Sequence, residues 1–308
     1  MFTSMITSMG LPVNQDKDEF GQTIKLLGIL VSSVANNGSD VSLALTQERR
    51  NQVTTLCMDM AKRFSNVKVE ELMAFAGILN FCAQVIAGSR CYLRSAYVLI
   101  GNRDKSAWVG LNTQFREDCE WWTRMVTTAG LCGKILTKKK LSPFHIAWDA
   151  STSYGIGGFF TLDQDYFYIP WPHMPGCFKR KKQRKGPWFT CNHRQKQMMP
   201  LVNTPGFHSN YLELFACYVS LDLWSKLLRR FSINCYTDST HVLSWLHRLT
   251  GPELAIPLLK CIHMLLVEND IELIPHLVTS KHNCVADALS RGDMEDFYSC
   301  IKAGKYKF

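Results

Sequence analysis

The stretch Phe144-His145-Ile146-Ala147-Trp148-Asp149 alternates apolar and polar side chains and stops on an acid. That is the pattern of a half-buried strand that carries a carboxylate to the end of a sheet. Two further strand-like runs, Ile156 to Thr161 and Tyr166 to Trp171, follow across an Asp163-Gln164-Asp165 turn. Beyond them, Asn210 to Leu228 reads as a long helix, Ser232 to Thr237 as a strand, and Ser239 to His247 and Glu253 to Glu268 as helices. Ile271 to Leu277 is a strand, and a short helix starts at Asn283. Three strands, then helix, strand, helices, strand and helix is an α/β order: a mixed sheet with flanking helices.

The first 140 residues have a different period. Thr23 to Val34 is a strand-like run, and the Asn36-Asn37-Gly38-Ser39-Asp40 cluster after it marks the turn of a hairpin. Thr46 is placed to cap a helix with Val53, Leu56, Cys57, Met60 and Phe64 on one stripe. A second helix carries Val69, Leu72, Met73, Ala76, Leu79 and Ala83, and a third, from Asn112 to Thr127, carries Phe115, Cys119, Trp122 and Met125. This region is a small, mainly helical unit, and Lys138-Lys139-Lys140 reads as the linker. A chain of 308 residues has room for two such domains.

Charge points to a partner. The formal net charge is +9, and the excess is diffuse apart from Lys179-Arg180-Lys181-Lys182-Gln183-Arg184-Lys185. Such a run suits a polyanion, and Trp171, Trp188 and Phe189 beside it suit stacking on bases. Gly155, Gly157 and Gly158 either let a nucleic-acid backbone approach the sheet or relieve strand curvature. The twelve cysteines include no Cys-x-x-Cys pair, which favours a reducing, intracellular setting, cytoplasmic or nuclear. His173, Cys177, Cys191 and His193 fit no common zinc spacing. No apolar stretch approaches the ~20 residues of a membrane span, so no membrane partner is expected.

Four acids sit where elements begin or end: Asp149, Glu213, Asp238 and Asp287. Singly each has a plain structural reading, since Asp238-Ser239 suits a helix cap and Asp287 suits a first-turn acid favoured by the helix dipole. Together they suit metal chemistry. In-line attack on a phosphodiester places negative charge on the attacking and leaving oxygens, and two cations stabilise both. Mg²⁺ takes hard oxygen ligands, carboxylates above all.

The same residues carry a resemblance. Trp148-Asp149-Ala150-Ser151, Asn210-Tyr211-Leu212-Glu213-Leu214, Tyr236-Thr237-Asp238-Ser239 and Asn283-Cys284-Val285-Ala286-Asp287-Ala288-Leu289-Ser290-Arg291 resemble the four ribonuclease H blocks of retrotransposon polyproteins. The last block is the most specific. The resemblance implies a ribonuclease H-like domain over 141–293 in which Asp149, Glu213, Asp238 and Asp287 bind two Mg²⁺ ions, replaceable by Mn²⁺. It also implies that His282 assists product release or proton transfer, although Ser280 stands where many relatives have Gly. Ser151, Asn283, Arg291 and the basic residues Lys179, Arg180, Lys181, Lys182, Arg184 and Lys185 are the expected substrate contacts.

Upstream, Leu11-Pro12-Val13-Asn14-Gln15-Asp16-Lys17 and Leu27-Gly28-Ile29 resemble the end of a reverse-transcriptase palm, assigned to 1–40. Glu71-Leu72-Met73-Ala74-Phe75-Ala76-Gly77-Ile78-Leu79-Asn80-Phe81 resembles a thumb or connection, assigned with the linker to 41–140. Asp118-Cys119-Glu120-Trp121-Trp122 is similar to the tyrosine-recombinase retrotransposons of the DIRS and Ngaro group. Residues 294–308 are expected to be a tail. No Asp-Asp pair occurs, so polymerisation is not expected of this chain alone, and a separately supplied polymerase portion is a possible partner. The expected activity is cleavage of the RNA strand of RNA:DNA hybrids. The alternative is a non-catalytic nucleic-acid-binding remnant. A transposase or integrase fits less well, because there the glutamate comes last.

Overall fold

The computed structural model describes residues 21–34, 40–86, 88–128, 133–135, 139–170 and 209–305. They fall into two compact units, one from residues 1–87 and 95–137 and the other from 88–94 and 138–308.

In the first unit the run expected as one strand is a hairpin, β1 (Thr23–Leu26) paired antiparallel with β2 (Ile29–Val34). The break is at Leu27-Gly28, with φ of 50° and 84°. Two residues of positive φ twist a hairpin correctly, and Gly28 reaches that region without strain. Strand β3 (Asp40–Leu45) pairs antiparallel with β2, as the second hairpin requires; its turn at residues 35–39 lies outside the described residues. Helix α1 (Gln47–Lys62) is capped by Thr46, whose hydroxyl accepts from the Arg49 N–H. Then come β4 (Val67–Lys68), α2 (Val69–Cys82), α3 (Arg94–Ile100), β5 (Trp108–Val109), α4 (Thr113–Thr127), capped by Asn112, and β6 (Gly133–Ile135), which joins β3.

The core of this unit holds Val53, Cys57 and Met60 of α1, Leu72, Phe75 and Leu79 of α2, and Phe115, Cys119, Trp122 and Met125 of α4. Phe64 does not join the stripe expected of it. Helix α1 ends at Lys62 and Arg63 is extended, so Phe64 is 93% exposed, with the Arg116 guanidinium over its ring at 5.3 Å. On α2, Met73 is exposed and Phe75 is the core residue.

The second unit begins with an antiparallel meander, β7 (Lys140–Ala150), β8 (Gly155–Phe160) and β9 (Asp165–Pro170). Next come α5 (Ser209–Trp224), β10 (Phe231–Thr237), α6 (Thr240–Arg248), α7 (Ile256–Glu268), β11 (Glu272–Leu277), α8 (Cys284–Ser290) and α9 (Met294–Lys302). The sheet order is β11-β10-β7-β8-β9, with β10 parallel to both β7 and β11. Strand β7 starts earlier than its alternation suggested, and the segment expected as linker is tied down by Lys139 Nζ at 2.6 Å from Asp270. Pro143 is accommodated where the β7–β10 register shifts, and Pro275 sits on the edge strand β11, because neither can donate to a ladder.

Helices α5, α6 and α7 cover one face of this sheet, burying Ile146, Trp148, Ile156 and Phe160 against Phe215, Tyr218, Trp224 and Ile262. Trp224 satisfies its indole N–H on Asp165 Oδ2 at 2.9 Å. On the other face α8 and α9 pack Val285, Leu289, Phe297 and Cys300 against Phe159. The stretch expected as a tail therefore contains a core helix, started by Asp293, whose side chain accepts from the Asp296 N–H. Among the described residues no single helix is long and apolar enough to cross a membrane.

Candidate metal centre

Parallel strands place their carboxyl ends together. Asp149 lies one residue from the end of β7, and Asp238 directly follows β10, so both acids come to the same end of the sheet. Glu213 reaches them from α5, which packs on β7 and β8. The three carboxylates converge, with one oxygen from each within 4.8 Å of the others. Asp149 and Glu213 are each 6% exposed.

Few donors are available to these charges. Glu213 Oε1 accepts from the Ala150 N–H at 3.0 Å, while Oε2 is buried without a donor. Asp149 Oδ2 accepts from the buried Ser290 hydroxyl, and Asp238 Oδ2 accepts from Ser280 Oγ at 2.8 Å. Burial, the largest influence, pushes the Asp149 carboxyl up to about 6, and the Asp238 and Asp287 charges add to it. The Ser290 hydrogen bond and the Arg291 charge pull the other way. Burial and then the Asp149 charge hold Glu213 well above the usual carboxylate range, with the Asp238 charge adding to it and the Ala150 N–H pulling the other way. Three acids forced together, with an orphaned buried oxygen among them, fit a hard divalent cation through their donor chemistry.

The fourth acid stands apart. Asp287, in the first turn of α8, ion-pairs with Arg291 at 2.7 Å and is not one of the three converging carboxylates. The i,i+4 spacing on one helix face makes that pair a local alternative to the cluster. His282 lies in the exposed turn before α8, with Nδ1 at 2.7 Å from Thr279 Oγ1. Asn283 occupies the N-cap position of α8 but makes no capping bond. It is 1% exposed, and its amide donates to the Trp148 carbonyl at 3.1 Å, fastening α8 to β7. Ser151 Oγ accepts from the Ser153 and Tyr154 N–H groups in the turn after β7. The basic run Lys179 to Lys185, with Trp171, Trp188 and Phe189, lies outside the described residues, as do His173, Cys177, Cys191 and His193.

The glycines settle a choice left open by the sequence. A Cβ on Gly157 would stand 2.5 Å from Leu289 Cβ and 2.5 Å from the Ser290 backbone nitrogen, and one on Gly158 would meet the Phe167 ring and Ser220 Oγ. Gly155 is likewise buried, against the backbone of β9. The protein's own helices and strands fill the space that a nucleic-acid backbone would need under the first of the two readings. Gly157 is what lets α8 lie close enough to β8 for Ser290 to reach Asp149. Sequence reasoning did not single out Ser290, although its place three residues after Asp287 in a short helix was visible.

No family model and no curated protein matches this chain. Among solved structures it is similar to a foamy viral protease-reverse transcriptase dRH in complex with double-stranded DNA, at 13% identity and a TM-score of 0.31, over 83% of this chain and 38% of that one. It is also similar to a foamy viral protease-reverse transcriptase in complex with an RNA/DNA hybrid, at 10% identity and a TM-score of 0.28, over 90% of this chain and 53% of that one. The chain thus spans roughly two-fifths to one-half of those proteins. Likeness at that level leaves the functional reading to the site's own geometry.

Proposed function

We propose that this chain is a metal-dependent endonuclease that cleaves the RNA strand of RNA:DNA hybrids, the ribonuclease H portion of a retrotransposon reverse transcriptase akin to the DIRS and Ngaro group. The observation that carries this reading is the convergence of Asp149, Glu213 and Asp238 at one end of a mixed five-stranded sheet. The strand and helix order and the four sequence blocks support the ribonuclease H assignment. An intracellular setting, cytoplasmic or nuclear, belongs to the same reading.

Asp149, Glu213 and Asp238 would hold divalent cations, Mg²⁺ or Mn²⁺, with Asp287 completing the set on giving up Arg291. Cations bound there would stabilise the charge that builds on the attacking and leaving oxygens of a phosphodiester. The chain's own part is positional. Ala150 fixes one oxygen of Glu213, Ser290 fixes one of Asp149, and burial keeps bulk water from two of the three acids. Arg291, the basic run and Ser151 remain the proposed contacts to the nucleic acid and His282 the proposed aid to product release or proton transfer, whereas Asn283, buried with its amide on the Trp148 carbonyl, is given up as a contact.

The test is cleavage of a hybrid labelled separately on each strand. Wild type should cut the RNA strand with Mg²⁺ or Mn²⁺ and spare the DNA, and Asp149→Asn or Asp238→Asn should abolish cutting. Equal background for wild type and both variants, with hybrid still bound, would establish the non-catalytic remnant instead.

A further inference from the structure

We infer that Ser290 is a positioning residue for the metal centre, its hydroxyl aiming Asp149 at the bound cation. The inference rests on the metal-centre reading above and deepens it.

Ser290 is fully buried, and Oγ is within hydrogen-bond reach of two acceptors, Asp149 Oδ2 and, at 2.9 Å, the Asp287 carbonyl oxygen. A hydroxyl has one proton to give. The helix offers the ordinary back-bond to the i−3 carbonyl, and the strand offers a carboxylate. A bond to an ionised acceptor is roughly twice as strong as a neutral one, so the proton goes to Asp149 whenever that carboxylate is charged. One carboxylate oxygen is thereby pinned, which fixes the rotation of the carboxylate beside Glu213 and Asp238. Water cannot replace the donor at a site with no exposure.

Ser290 is held in place by the way α8 is seated on the sheet. Gly157 admits the α8 backbone, and Asn283 ties the start of the same helix to the carbonyl of the residue before Asp149. Ser280, which donates to Asp238, offers an internal comparison because that bond is exposed and water can substitute for it. Partners of metal ligands of this kind contribute ten- to a hundredfold in metal affinity.

The experiment is Mn²⁺ binding to the whole purified chain, followed by electron paramagnetic resonance of free Mn²⁺. Ser290→Ala and the nearly isosteric Ser290→Cys, a poor donor, should each weaken binding by about tenfold or more. Ser280→Ala should change it less than about threefold. Leu289→Val, which loosens the same helix without touching a ligand, should lower the melting temperature and leave Mn²⁺ affinity unchanged. The inference is overturned if folded Ser290→Cys binds Mn²⁺ as wild type does, or if Leu289→Val weakens binding as much as Ser290→Cys. Should Asp149→Asn and wild type bind Mn²⁺ alike, the metal centre itself is wrong, and the role of Ser290 falls with it.

Discussion

Replacing Asp149 by Asn should make the metal-free protein more stable at neutral pH. Asp149 is 6% exposed, and its carboxyl is pushed from the ordinary 3.8 up to about 6. The folded state therefore holds the proton more tightly than the unfolded chain does. The sign follows from linkage: stability falls as pH rises from about 3.8 to about 6 and stays lower above that. At about 1.4 kcal/mol per pH unit, the ionised side chain costs about 3 kcal/mol at pH 7.5 without metal. Asn carries no charge and keeps an oxygen for the Ser290 hydroxyl, so the variant escapes most of that cost. For a domain of this size about 2–4 °C accompanies each kcal/mol, which gives a rise of about 5–10 °C in melting temperature. The assay is thermal unfolding followed by tryptophan fluorescence in a chelator, at pH 7.5 and at pH 3.5. The gain should be present at the first pH and absent at the second, and saturating Mg²⁺ at pH 7.5 should narrow it by stabilising only wild type. A variant less stable than wild type at pH 7.5, by the same amount as at pH 3.5, would refute the claim that this cluster is electrostatically strained.

Other consequences are equally specific. Glu213→Gln should also raise metal-free stability at pH 7.5, because burial and Asp149 hold that carboxyl above its usual range, while removing Mn²⁺ binding in the same titration. Gly157→Ala should cost at least about 2 kcal/mol in urea unfolding and weaken Mn²⁺ binding as well, since the added methyl meets backbone and Cβ atoms of α8 at 2.5 Å and must push Ser290 away from Asp149. Phe297→Ala should cost about 3–5 kcal/mol in the same measurement, because that ring is buried with Phe159 and Val285; a loss under 1 kcal/mol would mean that α9 is not part of the core.

Much of this was legible in the sequence because local chemistry decided it. Thr46 and Ser239 are side-chain caps in the structure, and the alternation before Asp149 is a strand. The acids of β7, α5 and β10 converge because parallel pairing sets their positions, and the element order already implied that pairing. What the sequence hid depended on contacts between distant segments. Leu27 carries no turn signal and takes a positive φ only because the hairpin requires it, and Phe64 falls on a helical stripe that its helix does not reach. Asp293 and the Met294, Phe297, Ile301 spacing were available to mark a final helix, but its length was too short to stand out. Asp287 was readable as an acid in the right motif. That it pairs with Arg291 and is not one of the three converging carboxylates is a choice between partners, which spacing alone does not rank.

The most direct measurement is anomalous diffraction from crystals of this chain grown in Mn²⁺. A metal centre built from these acids gives a peak among the carboxylates of Asp149, Glu213 and Asp238, at about 2–2.5 Å from their oxygens as hard cations require, and loses it in Asp149→Asn crystals. A saturating soak that leaves these three acids without a peak, or a peak undiminished in the variant, would contradict it.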